Sequence, residues 1–224
     1  MRLPMTSREF RERVIKRGKK ADVQLTAPIL EQLEAYYRLL ARWNEKINLT
    51  ALPLKDLTDQ AVDRLLIEPL AAARYVPETA LVWFDLGSGG GSPALPLKMV
   101  RRLARLSMVE SKTKKAAFLR EAVRVLGLQD AMVEAQRFED FAKRQESLAA
   151  AELVTVRAVK LNSVFFDAAK TLLRRGGSLL LFSSYESAAK APAGFEVSQV
   201  VRLSPVARNI GSTPSSQVVM LRRI

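Results

Sequence analysis

Apolar residues recur at three- and four-residue intervals between residues 26 and 47. This spacing places them on one face of a helix, and Thr26 and Pro28 suit its first turn. A second helical pattern runs from Ala61 to Tyr75. We therefore predict that residues 1–76 form an N-terminal helical region.

After Pro77, short β-rich runs alternate with helical patterns. This alternation indicates βαβ units, which build a parallel sheet with helices on both faces. We predict an α/β, Rossmann-like domain over residues 77–224, with a mostly parallel sheet of seven strands. The strands are predicted at 80–86, 103–110, 130–136, 153–159, 177–183, 195–203 and 216–224, and the helices at 93–102, 112–126, 138–149 and 162–174.

The stretch DLGSGGGSP, residues 85–93, directly follows the first predicted strand. Glycines permit a sharp turn and let a ligand approach the backbone, and the helix start behind them offers free N–H groups. Gly87, Gly89 and Gly91 fit a G-x-G-x-G spacing, whereas the dinucleotide pattern G-x-G-x-x-G would need glycine at Ser92. The loop predicts a nucleotide-type ligand beyond the carboxyl end of this strand.

Glu110 ends the second predicted strand, about 20 residues after the loop, where an acid is expected to hydrogen-bond ribose hydroxyls. Capping of the following helix is the alternative role for this side chain. Glycine loop and acid together indicate a ligand that contains adenosine.

Basic residues exceed acidic ones by 36 to 23, a formal charge of +13. The excess is concentrated in residues 1–20 and 98–124, which hold eight and nine basic residues against two acidic residues each. Such clusters are typical of phosphate-binding surfaces, although solvated helix faces would also account for them.

Cysteine and histidine are both absent from the chain. Disulfides, thiolate nucleophiles, Cys/His zinc sites and histidine triads are therefore excluded, and we expect no metal. No apolar run approaches the roughly 18–20 residues that span a bilayer, so we expect a cytoplasmic protein without membrane contact. The sequence also gives no sign of an obligate protein partner.

Two signatures carry a family resemblance. Residues 82–128 resemble the cofactor half of class I S-adenosylmethionine-dependent methyltransferases, and WNEKINLTAL, residues 43–52, resembles a second motif of the GidB/RsmG family. That family methylates N7 of a guanine in small-subunit (16S) ribosomal RNA. The likeness extends through QRFEDF, VRAV, LLRRGGSLLLF and VVMLRR, and covers about residues 30–224.

The resemblance implies S-adenosyl-L-methionine as cofactor and ribosomal RNA or the 30S subunit as partner. It places Glu110 at the ribose, Phe138 and Glu139 beside the adenine, and Arg157 near the methyl site, although Phe138 and Trp43 could equally be core residues. The expected cofactor contacts are Asp85, Gly87, Gly89, Gly91, Ser92, Glu110, Phe138, Glu139 and Arg157. The expected RNA contacts are Asn44, Asn48, Thr50, Arg64, Arg101, Arg102, Lys112, Lys114 and Lys115.

The chain departs from the family pattern at three places. Leu65 stands where the family has histidine, Ser183-Ser184 replaces a Lys-Gly pair, and Ser216-Gln217 replaces an Arg-His pair. These changes fall on the side expected to face RNA. They leave the cofactor half of the family pattern intact.

Guanine N7 suits this chain because it already has a free lone pair, so no base must remove a proton before methyl transfer. Cytosine C5 methylation normally needs a cysteine nucleophile, and the acidic-Pro-Pro-aromatic motif of exocyclic-amine methyltransferases is absent. The alternatives are a diverged paralogue acting on another RNA or a small molecule, and an RNA-binding protein that binds the cofactor without turnover. A nicotinamide-dependent dehydrogenase is disfavoured by Ser92.

Counterion release predicts that binding to ribosomal RNA weakens steeply with salt, because lysines and arginines displace the ions condensed on phosphates. Filter-binding titrations between about 50 and 200 mM salt should give a steep negative slope of log affinity against log salt concentration. A preference for small substrates with little salt dependence would contradict the RNA hypothesis.

Overall fold

The computed structural model describes residues 5–183, 191–203 and 217–224, in which a helical segment precedes a sheet. A capping box between Thr6 and Glu9 starts the first helix, where an exposed basic face covers a few buried apolar residues. The helices are α1 (Ser7–Lys20), α2 (Ala27–Asn44), α3 (Asp59–Val62) and α4 (Glu68–Ala72), with a π-helical turn at Asp63–Ile67 and a 3₁₀ turn at Ala73–Tyr75.

The predicted Rossmann-like sheet is confirmed. Its seven strands lie in the order β3-β2-β1-β4-β5-β7-β6, and β7 runs antiparallel to both of its neighbours. The order reverses between β1 and β4, which is where open α/β sheets bind ligands. The strands are β1 (Val82–Leu86), β2 (Arg105–Val109), β3 (Ala131–Glu134), β4 (Ala151–Arg157), β5 (Leu173–Ser183), β6 (Phe195–Arg202) and β7 (Gln217–Arg223), and the connecting helices are α5 (Ala94–Val100), α6 (Thr113–Val125), α7 (Phe138–Phe141) and α8 (Ser163–Leu172).

Two hydrophobic cores cover the two faces of the sheet. Trp83 of β1 packs with Phe10 of α1 and Tyr36 of α2, whereas its neighbour Phe84 faces α7 and α8 with Phe165. Side chains alternate between the faces of a strand, so one short strand serves both cores. The N-terminal helices share a core with the sheet, and a domain boundary at residue 76 stays a prediction.

The helix predicted at 138–149 is wrong over most of its length. It consists of α7 and a separate 3₁₀ turn at Gln145–Ser147. Ala149 adopts a φ of +49°, and its N–H donates to the carbonyl of Thr171 at 2.9 Å, which turns the chain toward β4. Phe141 and Ala142 lie in the core and Phe138 packs against it, whereas residues 143–149 add no apolar side chain to the core that would hold a longer helix.

Two other predicted boundaries shift. The pattern at 61–75 is helical throughout but contains the π-helical turn, where Glu68 N–H bonds to the carbonyl of Asp63. Strand β5 begins at Leu173 rather than at residue 177, because Leu173 already pairs with Ala151 across an irregularity in the β4–β5 register. None of the helices in the described ranges has the length and apolarity needed to cross a bilayer.

A buried hydrogen-bonded chain crosses from β1 to β4. Trp83 Nε1 donates to Thr155 Oγ1 at 2.9 Å, and Thr155 Oγ1 donates to the carboxylate of Asp85. Asp85 is 1% exposed. Burial raises the pKa of Asp85 to about 6, and its hydrogen bonds only partly offset that rise.

Asp85 should therefore make the protein less stable as pH rises. Its folded pKa of about 6 lies above the reference value of 3.8, so the folded state binds the proton more tightly than the unfolded chain. The unfolding free energy of the wild type, relative to Asp85→Asn, should fall between pH about 4 and about 6, by on the order of 3 kcal/mol. Denaturant titrations across this range measure the difference, and parallel pH profiles for the two proteins would contradict it.

Candidate active site

The glycine loop after β1 is held at the carboxyl edge of the sheet. The φ angles of Gly87, Gly89 and Gly91 are +72°, +51° and +84°, so the predicted G-x-G-x-G positions all occupy the left-handed region. At Gly87 a Cβ atom would lie 2.5 Å from Cγ2 of Val159. The N–H of Gly87 donates to the carbonyl of Val109 at 2.8 Å, which ties the loop to the end of β2.

Helix α2 supports the loop from the other side. Tyr36 Oη donates to the carbonyl of Gly90 at 2.7 Å, and burial raises the pKa of Tyr36, which keeps this donor protonated. A Cβ atom at Gly90 would lie 3.3 Å from the carbonyl oxygen of Leu49. The segment after α2 and the glycine loop are therefore in contact, although about 40 residues separate them in the sequence.

The WNEKINLTAL segment builds this support. Asn44 Oδ1 accepts from the N–H groups of Leu49 at 2.8 Å and Thr50 at 2.9 Å, which closes the turn after α2. Trp43 Nε1 donates to Glu121 of α6 at 2.9 Å. The side-chain oxygen of Asn44 thus stabilises the protein's own backbone, and its contact with RNA stays a prediction.

Glu110 lies at the end of β2 facing the loop. Its Oε2 accepts from Gly89 N–H at 2.9 Å and its Oε1 accepts from Lys112 N–H at 2.8 Å. The side chain is buried, and these two bonds fix the carboxylate in one orientation. Both of the roles considered for Glu110 are compatible with this geometry, because each oxygen keeps a further lone pair for a ligand hydroxyl.

A cavity of about 210 Å³ opens beside this carboxylate. Four predicted cofactor residues line it: Gly87, Glu110, Phe138 and Glu139. Phe138 packs edge-on against Phe165 at 5.9 Å between ring centres while half-exposed to the cavity, so it serves the core and the cavity together. The remaining lining residues are Val109, Ser111, Gln136, Arg137 and Val159.

Glu139 is held at the cavity rim by Arg137. The Arg137 guanidinium donates to Glu139 Oε1 at 2.9 Å, and this bond is the main cause that lowers the pKa of Glu139. The carboxylate is therefore ionised at neutral pH and can only accept hydrogen bonds. Among the described residues, no group of three or more acidic side chains is arranged to hold a metal ion.

The other five predicted cofactor residues lie outside the lining of this cavity: Asp85, Gly89, Gly91, Ser92 and Arg157. Asp85 points into the sheet toward Thr155, on the face that carries the N-terminal helices. Ser92 Oγ donates to the carbonyl of Leu65 at 3.0 Å. Arg157 ends β4 and is engaged by Glu68 and by the carbonyl of Arg64.

The basic residues at 98–124 do not form one surface. Arg101 and Arg102 precede β2, whereas Lys112 and Lys114 follow it, so the two pairs lie at opposite ends of a strand about 16 Å long. Arg101 Nη2 donates to the carbonyls of Ala73 and Val76. Lys98 is buried and donates to the carbonyl of Arg102 at 2.8 Å, and burial lowers its pKa.

The other predicted RNA contacts differ in exposure, and the side chain of one of them bonds the protein's own backbone. Asn48 is exposed and Lys115 is half-buried. Thr50 Oγ1 accepts from the N–H of Leu52 at 3.1 Å. Arg64 lies in the π-helical turn and is half-buried.

The three departures from the family pattern are placed differently. Leu65 is buried, and its carbonyl accepts a hydrogen bond from the Ser92 hydroxyl. The backbones of Ser183 and Gln217 pair at the carboxyl end of β5. Ser184 and Ser216 lie outside the described residues.

Sequence reasoning missed five residues of the cavity lining: Val109, Ser111, Gln136, Arg137 and Val159. A usable signal existed, because each stands at or just after the carboxyl end of a predicted parallel strand. It also missed the pairing of Glu68 with Arg157, for which no signal along the chain exists.

Comparison with known proteins identifies the family. The profile described as rRNA small subunit methyltransferase G (GidB) matches residues 29–210. Ribosomal RNA small subunit methyltransferase G of Xanthomonas axonopodis pv. citri is 38% identical over 192 residues, which cover 83% of this chain and 84% of that protein. The protein of the same name from Geobacillus kaustophilus is 34% identical over 79% of this chain and 71% of its own length.

Solved structures share the fold at low sequence identity. An O-methyltransferase from Bacillus cereus in complex with SAH matches with a TM-score of 0.62 and 15% identity, over 96% of this chain and all of that chain. TrmN from Thermus thermophilus matches with a TM-score of 0.52 and 17% identity, over 70% of this chain and 49% of that chain. The chain therefore belongs to the rRNA small subunit methyltransferase G family and is an S-adenosylmethionine-dependent methyltransferase with a Rossmann-like fold.

Proposed function

We propose that this protein methylates N7 of a guanine in small-subunit ribosomal RNA, acting in the cytoplasm. The observation that carries the proposal is the cavity at the reversal of strand order, where Gly87, Glu110 and Phe138 converge in a chain of this family. The names of the Xanthomonas and Geobacillus relatives support the class of substrate.

The cavity fits an adenosine-containing cofactor. Glu110 offers fixed carboxylate oxygens to ribose hydroxyls, while Phe138 and Val159 offer apolar surface to an adenine. Glu139 is an ionised acceptor at the same rim. Gly87 lets the loop pass Val159 without a Cβ clash, and thus keeps the cavity open beside the backbone.

Bound S-adenosylmethionine supplies an electrophilic methyl group. The protein's task is then to hold both reactants in line and to exclude water, which contributes most of the rate in reactions of this type. Guanine N7 would accept this methyl group with its own lone pair, and the positive charge would pass from the cofactor to the guanine ring. No side chain has to accept a proton, which agrees with a chain that has neither histidine nor cysteine.

The RNA-facing surface should combine the rim of the cavity with the basic face of α1. Lys112, Lys114 and Lys160 are exposed beside the carboxyl ends of β2 and β4. On α1, Lys16, Lys19 and Lys20 are exposed as well. Arg101 is a weaker candidate for an RNA contact, because its guanidinium already bonds backbone carbonyls at the other end of β2.

Transfer of labelled methyl to 30S subunits and to naked 16S RNA tests the substrate. We expect label in the RNA at a guanine, because N7 needs no deprotonation. Borohydride reduction followed by aniline cleavage maps N7-methylguanine to a single position. The 50S subunit is the matched control and should stay unlabelled.

Other outcomes would replace the proposal. Label on small molecules only, or on an RNA outside the small subunit, would indicate a diverged paralogue. Cofactor binding without transfer to either ribosomal substrate would indicate a binding protein without turnover. The departures from the family pattern at Leu65, Ser183 and Gln217 would then be the first positions to revert.

The substitution Gly87→Ala should weaken binding of S-adenosylhomocysteine at least about tenfold, because the added Cβ would lie 2.5 Å from Val159 and φ is +72°. Gly127→Ala is the control, since Gly127 has a φ of +60° but no neighbour within 4 Å of the added atom. Both variants should lose about 1–2 kcal/mol of stability from the left-handed backbone. Equal affinities of the two variants in calorimetric titrations would contradict the role of Gly87.

A further inference from the structure

A buried ion pair joins the N-terminal helices to the end of β4. Arg157 Nη2 donates to Glu68 Oε2 at 3.0 Å, and the two side chains are only 11% and 4% exposed. Burial by itself lowers the pKa of Arg157, and the charge of Glu68 opposes that effect. Loss of the carboxylate would leave a buried cation without its counter-charge, which is strongly unfavourable.

The π-helical turn supplies further bonds at the same place. Because Glu68 N–H reaches back five residues to the carbonyl of Asp63, the carbonyls within the turn leave the regular α-helical pattern. The carbonyl of Arg64 accepts from Arg157 Nη1, and the carbonyl of Leu65 accepts from Ser92 Oγ at 3.0 Å. The turn thus offers two backbone acceptors and, at its end, one carboxylate.

Ser92 connects this cluster to the glycine loop. Arg157 Nη1 donates to Ser92 Oγ at 3.3 Å, and Ser92 directly follows Gly91. The guanidinium carbon of Arg157 lies 4.8 Å from the ring centre of Phe182, which restricts the plane of the group. Both terminal nitrogens of Arg157 are therefore engaged within the protein, and the group is held on several sides.

We propose that Glu68 is a positioning residue that acts through Arg157 on the hydroxyl of Ser92, and thereby fixes the end of the glycine loop for cofactor binding. Arg157 is itself a positioning residue in this arrangement, because its terminal nitrogens bond Glu68, Ser92 and the Arg64 carbonyl rather than a substrate. The inference rests on the proposed function only for the identity of the cofactor, and binding measurements test it without RNA.

A double-mutant cycle of Glu68→Gln and Ser92→Ala tests the connection. Calorimetric titration of S-adenosylhomocysteine should show an affinity about tenfold lower for each single variant. The double variant should be about as weak as the single ones, rather than about a hundredfold weaker, because both changes remove the same constraint. Glu68→Asp keeps the charge and should recover part of the lost affinity.

Glu34→Gln provides a matched control. Glu34 is also a buried carboxylate, 8% exposed, and accepts from Arg38 at 2.9 Å and from Ser7 at 2.6 Å between α1 and α2, away from the loop. This variant should lower the melting temperature and leave the affinity for S-adenosylhomocysteine unchanged.

Two results would overturn the proposal. One is an equal affinity of Glu68→Gln and Glu34→Gln for S-adenosylhomocysteine, which would reduce Glu68 to a stabilising residue. The other is an additive cycle, which would show that Glu68 does not act through Ser92. Should Glu68→Gln fail to fold, Glu68→Asp replaces it in the cycle, where its smaller loss of affinity should again fail to add to that of Ser92→Ala. If the cycle shows the coupling but the wild type transfers no methyl to 30S subunits, the proposed RNA substrate is refuted and the positioning role of Glu68 stands.

Discussion

The packing of α2 against the glycine loop is the constraint on which the site depends. Four glycines in five residues would lose much conformational entropy on ordering, so the loop needs fixed contacts on several sides. Tyr36 and Leu49 supply them from the helical layer, and Val109 supplies them from β2. The loop is therefore held in shape by the protein itself, which lowers the entropic cost of binding a ligand.

Buried charges connect the layers around this loop. Asp85, Glu68 and Arg157 all lie on the side of the sheet that the N-terminal helices cover, and each has hydrogen-bond partners. A shift between helices and sheet would separate the buried charges of Glu68 and Arg157, which is more costly than a shift of apolar side chains alone. The separate motifs of the sequence thus act together, because the helical layer positions the loop that the sheet presents.

The order and type of the elements were largely predictable, since periodicities of 3.6 and 2 residues depend on near neighbours along the chain. The seven strands and most helices confirm this. Prediction failed at 138–149, where a contact between Ala149 and Thr171 turns the chain. The helical pattern at 61–75 was correct, but it did not show the π-helical turn, whose carbonyls bond residues remote in sequence. Both exceptions arise from tertiary contacts that override local preference.

The site residues that follow strand ends were predictable from the sequence. Four of them line one cavity as expected: Gly87, Glu110, Phe138 and Glu139. The sequence of neighbouring residues could not show that Asp85 bonds Thr155 on the adjacent strand or that Arg157 pairs with Glu68. Nor could it show that the length of β2 separates two pairs of basic residues, Arg101 and Arg102 from Lys112 and Lys114. Periodicity and loop chemistry are properties of adjacent residues, and they suffice for the fold class and the glycine loop. Which charges meet and which side chains are buried depends on how distant layers pack, and only the folded chain brings those residues within bonding distance.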